Sequence, residues 1–375
     1  MRDSEIDIIK GISITLMVLG HVFGSGTEYT YLFHMQVFFI ITGYLTKDQY
    51  FESFENLKRF AVKKFKSLWI PFVSANLVYL WLNNFFLRIN FYTLNPGITE
   101  AFGQDTDEKL ELSEMLIRSV HILFTRRSTE LGGATWFLSA MLYSVIFYGI
   151  VEFALNHIRS ERLRILLEYL LCLITVFATT WIVGWENQYH GIKSILLNSC
   201  KYFWLYFLGK QIRKLGKTDL KPIIRSTIIV LSLVGLYVCK NYGNVDFESV
   251  RPDNVLFCIS APLFGWCLLR QTAYFMKTIS PNMLSELISK LGRHTLDILI
   301  LHFLVFKFIN LIIVKIKEYP DYYTAAFPTL VWTLPLNFRT ISTGCVYMLT
   351  GLIAPVIIAH LFNLSTKRWF GIINK

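Results

Sequence analysis

The stretch IDIIKGISITLMVLGH, Ile6 to His21, places the strongest constraint on what this chain can fold into. It is apolar and long enough to enter a bilayer, yet Asp7 and Lys10 lie near its start and His21 deep within it. Ionisable side chains in hydrocarbon are costly, so those present turn toward a bundle interior, a water-filled cavity or a reacting centre. On a helix, Lys10 and His21 are about three turns apart, on one face and roughly 16 Å from each other along the axis, with Asp3 and Asp7 on the same side. The plainer reading is a signal anchor whose single histidine packs against a neighbour. The flank mixes Arg2 and Lys10 with Asp3, Glu5 and Asp7, so the run is expected to be kept as the first helix.

The rest of the chain repeats the constraint. Of 375 residues, 54% are hydrophobic and 17% charged, with a mean hydropathy of +0.45, which excludes a disordered or ordinary soluble protein. The expected fold class is all-α: a polytopic integral membrane protein of about ten transmembrane helices, forming one domain over residues 1–375. The net charge of +11 gathers at alternate helix ends, which argues against nucleic acid and for cytoplasmic N- and C-termini. Basic clusters on that side then meet anionic lipid headgroups or a phosphorylated ligand. The six cysteines show no CxxC spacing and read as core residues, so neither a metal site nor a disulfide framework is expected.

The expected spans are residues 8–26, 31–46, 68–88, 134–153, 165–185, 194–212, 223–240, 253–270, 291–314 and 341–362. After the second lies the densest basic segment, with Lys47, Lys58, Arg59, Lys63, Lys64 and Lys66. It is either a solvated amphipathic helix or an anion site. Pro71 suits the first turn of the third span. Residues 89–113, with Asp105, Asp107 and Glu108, read as an exterior loop, and Ser113 to Arg127, carrying Arg118, His121, Arg126 and Arg127, as a short amphipathic helix at the outer surface. Lys201 and Lys307 fall inside spans. The bases from Lys210 to Arg225 mark a cytoplasmic loop, as does the segment from Gln271 to Lys290.

No P-loop, GxGxxG, HExxH or GxSxG motif is present, so nucleotide hydrolysis and ordinary serine or zinc hydrolysis lack a handle. What remains is intramembrane histidine, a competent general base near neutral pH. His21 is the candidate catalytic residue. His34, at the exterior start of the second span, and His302, in the ninth, are candidates for acceptor binding or support of His21, or for helix packing. Asp297 is a candidate partner for a base, and Trp136 either stacks on a sugar or anchors at the interface. Lys10 orients the helix, pairs with Asp3 or Asp7, or binds a donor.

Lys10, ten intervening residues and His21, followed by VFFIITGYL, resemble the membrane-bound acyltransferase-3 family. FHMQVFF, WFLSAML, YFLGK and LGRHTLDILILHFLV are most similar to its fucose 4-O-acetylase-like branch, and the matches run in order from residue 3 to about 305. The resemblance implies a bacterial inner-membrane protein that moves an acyl group from cytosolic acetyl-CoA to a hydroxyl of a surface carbohydrate or lipid-linked sugar. It implies His21 as the catalytic histidine with Lys10 its basic companion, Phe38, Phe39, Thr42, Gly43 and Tyr44 as a second signature, and Lys63, Lys64 and Lys66 as the segment that holds the CoA phosphates. The family's basic pair is normally Arg, two residues, Arg. Its positions are Phe65 and Leu68 here, and Lys63 and Lys66 keep the spacing two residues earlier. No metal or prosthetic group is implied. The competing reading is a secondary transporter using intramembrane His, Asp and Lys, and a third is a non-catalytic membrane scaffold.

Overall fold

The computed structural model describes residues 3–24, 27–94, 109–124, 128–186, 200, 202–216, 220–243, 255–278, 283–333 and 338–373. The described helices are arranged around one central rod. That rod, α1 (Ser4–Phe23), is started by Asp3, whose carboxylate accepts from Glu5 N–H at 3.0 Å, and stopped by Gly24 at φ +60°. The short α2 (Glu28–Tyr31) returns the chain to α3 (Gln36–Leu45). Ser53 caps α4 (Phe54–Lys64), which passes through a π-helical turn at Phe65–Trp69 into α5 (Ile70–Trp81) with Pro71 in its first turn, then α6 (Asn83–Arg88). The π turn adds a residue, so the faces of α4 are rotated relative to those of α5.

The surface helix expected near Ser113 is α7 (Leu112–Phe124), followed by α8 (Trp136–Asn156), α9 (Glu161–Glu186), α10 (Phe203–Leu215), α11 (Pro222–Gly243) and α12 (Val255–Thr278). The expected ninth span is broken at His294 into α13 (Met283–Arg293) and α14 (Thr295–Lys317), and α15 (Phe338–Ile373) follows. Among the described residues all regular structure is helical. Among the described residues six helices are long and apolar enough to cross a membrane: Ser4–Phe23, Gly133–Asn156, Pro222–Gly243, Val255–Thr278, Thr295–Lys317 and Thr340–Leu361. The remaining expected spans map onto shorter pieces such as α3, α5 and α10, of 10, 12 and 13 residues, or onto the more polar α9. The loop carrying Asp105, Asp107 and Glu108, together with Arg126, Arg127, residues 194–199 and Lys201, lies outside the described residues.

α1 packs against α12, α13, α14 and α15 and touches α3. In α1, 61% of the span is buried inside the protein, against 22% in α11, which separates the hub from the rim. Two crossings need glycine. A Cβ on Gly292 of α13 would stand 1.7 Å from Asp7 O, and one on Gly43 of α3 would stand 2.1 Å from Tyr206 O on α10. At both crossings backbone lies against backbone, which small residues permit.

Charges expected at a solvated loop are buried. Lys210 Nζ donates to Glu152 Oε2 at 2.7 Å and to Glu168 Oε1 at 2.5 Å, tying α8, α9 and α10 together. Arg225 is also buried, its guanidinium on Gln271 Oε1 at 2.8 Å and over the Tyr274 ring. Both correct the sequence reading of a basic loop. A lysine stays in a protein interior when carboxylates on neighbouring helices compensate it. The stretch Gln271–Lys290 is helical over most of its described length, and Ser280, Pro281 and Asn282 lie outside the described residues.

Candidate active site

The last turn of α1 brings His21 against α14. Its ring stacks on His302 with centroids 5.4 Å apart and planes 26° apart, and meets the edge of Phe303 at 4.8 Å. His21 is half-buried, whereas His302 is 0% exposed. His302 Nδ1 lies 2.8 Å from Ile298 O, which can only accept, so Nδ1 carries the proton. When the ring is neutral, Nε2 therefore offers a lone pair, and that atom has no hydrogen-bond partner among the described residues. His34, also buried, repeats the arrangement with Nδ1 2.6 Å from Thr30 O, and it lies within electrostatic reach of His21. The three histidines therefore converge although 281 residues separate the outer two of the sequence, His21 and His302.

The end of α1 is fixed from outside. Trp332 Nε1–H donates to His21 O at 2.9 Å, and Thr329 Oγ1 donates to Val22 O at 3.1 Å. The segment carrying these residues rests in turn on α14. Lys307 Nζ donates to Ala325 O and Phe91 O, each at 2.8 Å, and lies 3.1 Å from Glu130 Oε1. Asn310 Nδ2 donates to Ala326 O at 2.7 Å, and Phe327 packs on Phe303 at 4.8 Å. Lys307, whose place inside a span was legible, is thus a strut under the histidine pair. Trp332, Thr329, Phe303 and Glu130 were missed, because nothing local marks them.

The second signature is a packing cassette. Phe39 stacks on Tyr202 at 4.4 Å and meets Phe137 at 5.2 Å, and Phe38 meets Phe137 at 5.7 Å. Thr42 Oγ1 donates to Phe38 O at 2.9 Å, Gly43 admits the α10 backbone, and Tyr44 lies 6.1 Å from Trp266. These contacts join α3 to α8, α10 and α12. Trp136 opens α8, half-buried, with its ring 6.2 Å from Phe137. Asp297 accepts from His294 Nδ1 at 2.8 Å in the first turn of α14, half-buried, apart from the His21–His302 pair.

At the other end of α1, Lys10 and Lys64 come within electrostatic reach of each other. Lys64 shares the inner face of α4 with the buried Phe60, its Nζ 5.5 Å from that ring. Burial first, then the charges of Lys63 and Lys10, push the Lys64 ammonium down to about 8. Lys63 Nζ stands 3.5 Å from Tyr50 hydroxyl. Lys66 is on the outward side, lining a groove of about 550 Å³ with Glu55, Lys58, Arg59, Val62, Lys63 and Ser67. No group of three or more His, Cys, Asp or Glu placed to hold a metal occurs among the described residues.

The profile of one family, described as an acyltransferase domain of the acyltransferase-3 type, matches residues 3–360. Neither a curated protein nor a solved structure matches the chain.

Proposed function

Because the chain belongs to the acyltransferase-3 family, whose members are membrane acyltransferases, we propose that it transfers acetyl from acetyl-CoA to a hydroxyl of a carbohydrate or lipid-linked sugar. The observation that carries the reading is the polarity of α1: a paired, base-competent imidazole at one end and lysines within electrostatic reach of one another at the other. Lys10 and Lys64 hold the donor's phosphates on the cytosolic side, with both chain termini on that side. The acceptor meets the histidines from the exterior, and the membrane is the bacterial inner membrane.

In the reaction His21 takes the proton from the acceptor hydroxyl as its oxygen attacks the thioester carbonyl. The C–O bond forms, the C–S bond breaks, and the proton returns to the departing thiolate. His302 stacks on His21, its ring held by the Nδ1 bond to Ile298 and its Nε2 engaged by no described residue, and it supports the protonated ring as it forms. His34 and Trp136 lie toward the acceptor, as does the Trp332 that grips the end of α1. The second signature holds α3 in place. The transporter reading draws no support from the family match.

The test uses purified protein in vesicles with acetyl-CoA and a panel of mono- and oligosaccharides, following free CoA thiol. Acceptor-dependent thiol release that is lost in His21→Gln is the expected result. Release unchanged by the substitution removes His21 from the chemistry, and sugar movement without thiol release replaces transfer by transport.

A further inference from the structure

The basic segment is not one site, because α4 sorts its cations by face. Positions 60 and 64 point inward, where Lys64 meets Phe60 and the charge of Lys10. Positions 55, 59, 62, 63 and 66 line the outward groove with Lys58, and all six are exposed. Glu55 is the groove's one carboxylate, 3.6 Å from Arg59, so four cations against one anion leave the groove at a net charge of +3. Beside these charges stand apolar side chains that the protein does not cover: Phe54 is 71% exposed, Ile70 50%, Phe65 47% and Val62 46%. Phe54, Lys58 and Val62 recur every four residues and so form one stripe. An exposed apolar stripe edged with Lys and Arg is the pattern of a helix lying in a membrane interface. Its place in the chain agrees, since the π turn carries α4 directly into α5.

We infer that this groove is a docking site for the headgroup of an anionic glycerophospholipid. Lys58, Arg59 and Lys66 contact the phosphate and the negative headgroup, while Val62 and Phe65 lie against the glycerol and upper acyl chain. The occupant is a lipid rather than a soluble phosphate, because a free phosphate has no use for the apolar wall. The lipid would pin α4 to the inner leaflet. The site stands on this surface alone and survives if acetyl transfer is disproved.

The full-length protein is reconstituted into nanodiscs of phosphatidylcholine with one fifth phosphatidylglycerol, and the lipids retained on gentle detergent extraction are counted by native mass spectrometry. Each cation in contact with an anionic surface is worth about fivefold in partitioning at moderate salt. We expect the ratio of phosphatidylglycerol to phosphatidylcholine among the retained lipids to exceed the bulk ratio at least about fivefold, and Lys58→Gln with Arg59→Gln to return it to the bulk ratio. The charge-keeping Lys58→Arg retains the enrichment, which separates the site from a folding defect, and Lys64→Gln retains it because that side chain faces inward. Added CoA leaves the lipid in place. Absence of enrichment in the native protein, enrichment that persists in the double variant, or one-for-one displacement of the lipid by CoA each overturns the proposal. CoA binding measured on the Lys58→Gln, Arg59→Gln protein is expected to be unchanged, so failure of the donor site and failure of the lipid site give different results.

Discussion

The two ends of α1 are built by opposite rules. Around His21 the rings are packed and their polar atoms aimed: His302 and Phe303 press on one side, Trp332 and Thr329 grip the backbone, and Lys307 braces the whole from below. Around Lys10 like charges are gathered on half-buried or exposed side chains, with Lys64 held where its charge is costly. A preorganised imidazole suits a reaction step, since its geometry must not relax as charge develops. A cluster of repelling ammonium groups suits an anionic ligand, which relieves the repulsion when it binds. On the proposed function the helix separates chemistry from donor recognition, and substitutions at its two ends should fail in different ways.

The largest expected effect is that of His21→Gln. Loss of a general base costs about 10²–10⁴ in rate, so we expect a fall in kcat of about three orders of magnitude with donor affinity retained. Next comes His302→Phe, which keeps a ring in the stack and removes Nε2. It should lower kcat about 10²-fold while leaving KM for acetyl-CoA in place. A ring that serves packing alone would leave kcat unmoved in steady-state kinetics of this variant. Smaller again is Lys64→Gln, expected to weaken CoA binding about tenfold, or about 1.4 kcal/mol, with kcat kept.

The charge of Lys64 also sets a pH dependence. Its ammonium is held near 8, so below that value the charge is present and above it the free protein must take up a proton to bind an anion. CoA affinity is expected to fall as pH rises through about 8, by about tenfold at most in total, and Lys64→Gln should remove that slope. Titration calorimetry at pH 7 and pH 9 reads both. The smallest expected effect on catalysis is that of Gly43→Ala. The added methyl meets Tyr206 O and costs about 1–3 kcal/mol of stability by overpacking, seen as a lower thermal midpoint with the ratio of kcat to donor KM near native.

Much of this was legible along the chain, and the boundary of legibility has a physical basis. The apolar run of α1, the cost of His21 within it and the spans of α8, α11, α12, α14 and α15 are all properties of residues close in sequence. The amphipathic α7 appeared within a residue of its expected start, since its pattern is local too. The short helices α3 and α10 were less visible as pieces, because each gains its place from a glycine contact with the other. Lys210 was read as solvated because its carboxylates are 58 and 42 residues away. Trp332 lies 311 residues from the carbonyl it holds, and no periodicity reports such a contact. The faces of α4 were implicit in the spacing of its lysines, but which face turned inward depended on Phe60 finding α8.

The most direct test measures both ends of α1 in one protein background. Native protein, His21→Gln and Lys64→Gln are placed in identical nanodiscs, and CoA dissociation constants and acceptor-dependent thiol release are recorded for each. The division of labour predicts that His21→Gln binds CoA as the native protein does and releases no thiol. Lys64→Gln should bind about tenfold more weakly and reach the native rate at saturating donor. Loss of CoA binding in His21→Gln, or loss of saturated rate in Lys64→Gln, would contradict it.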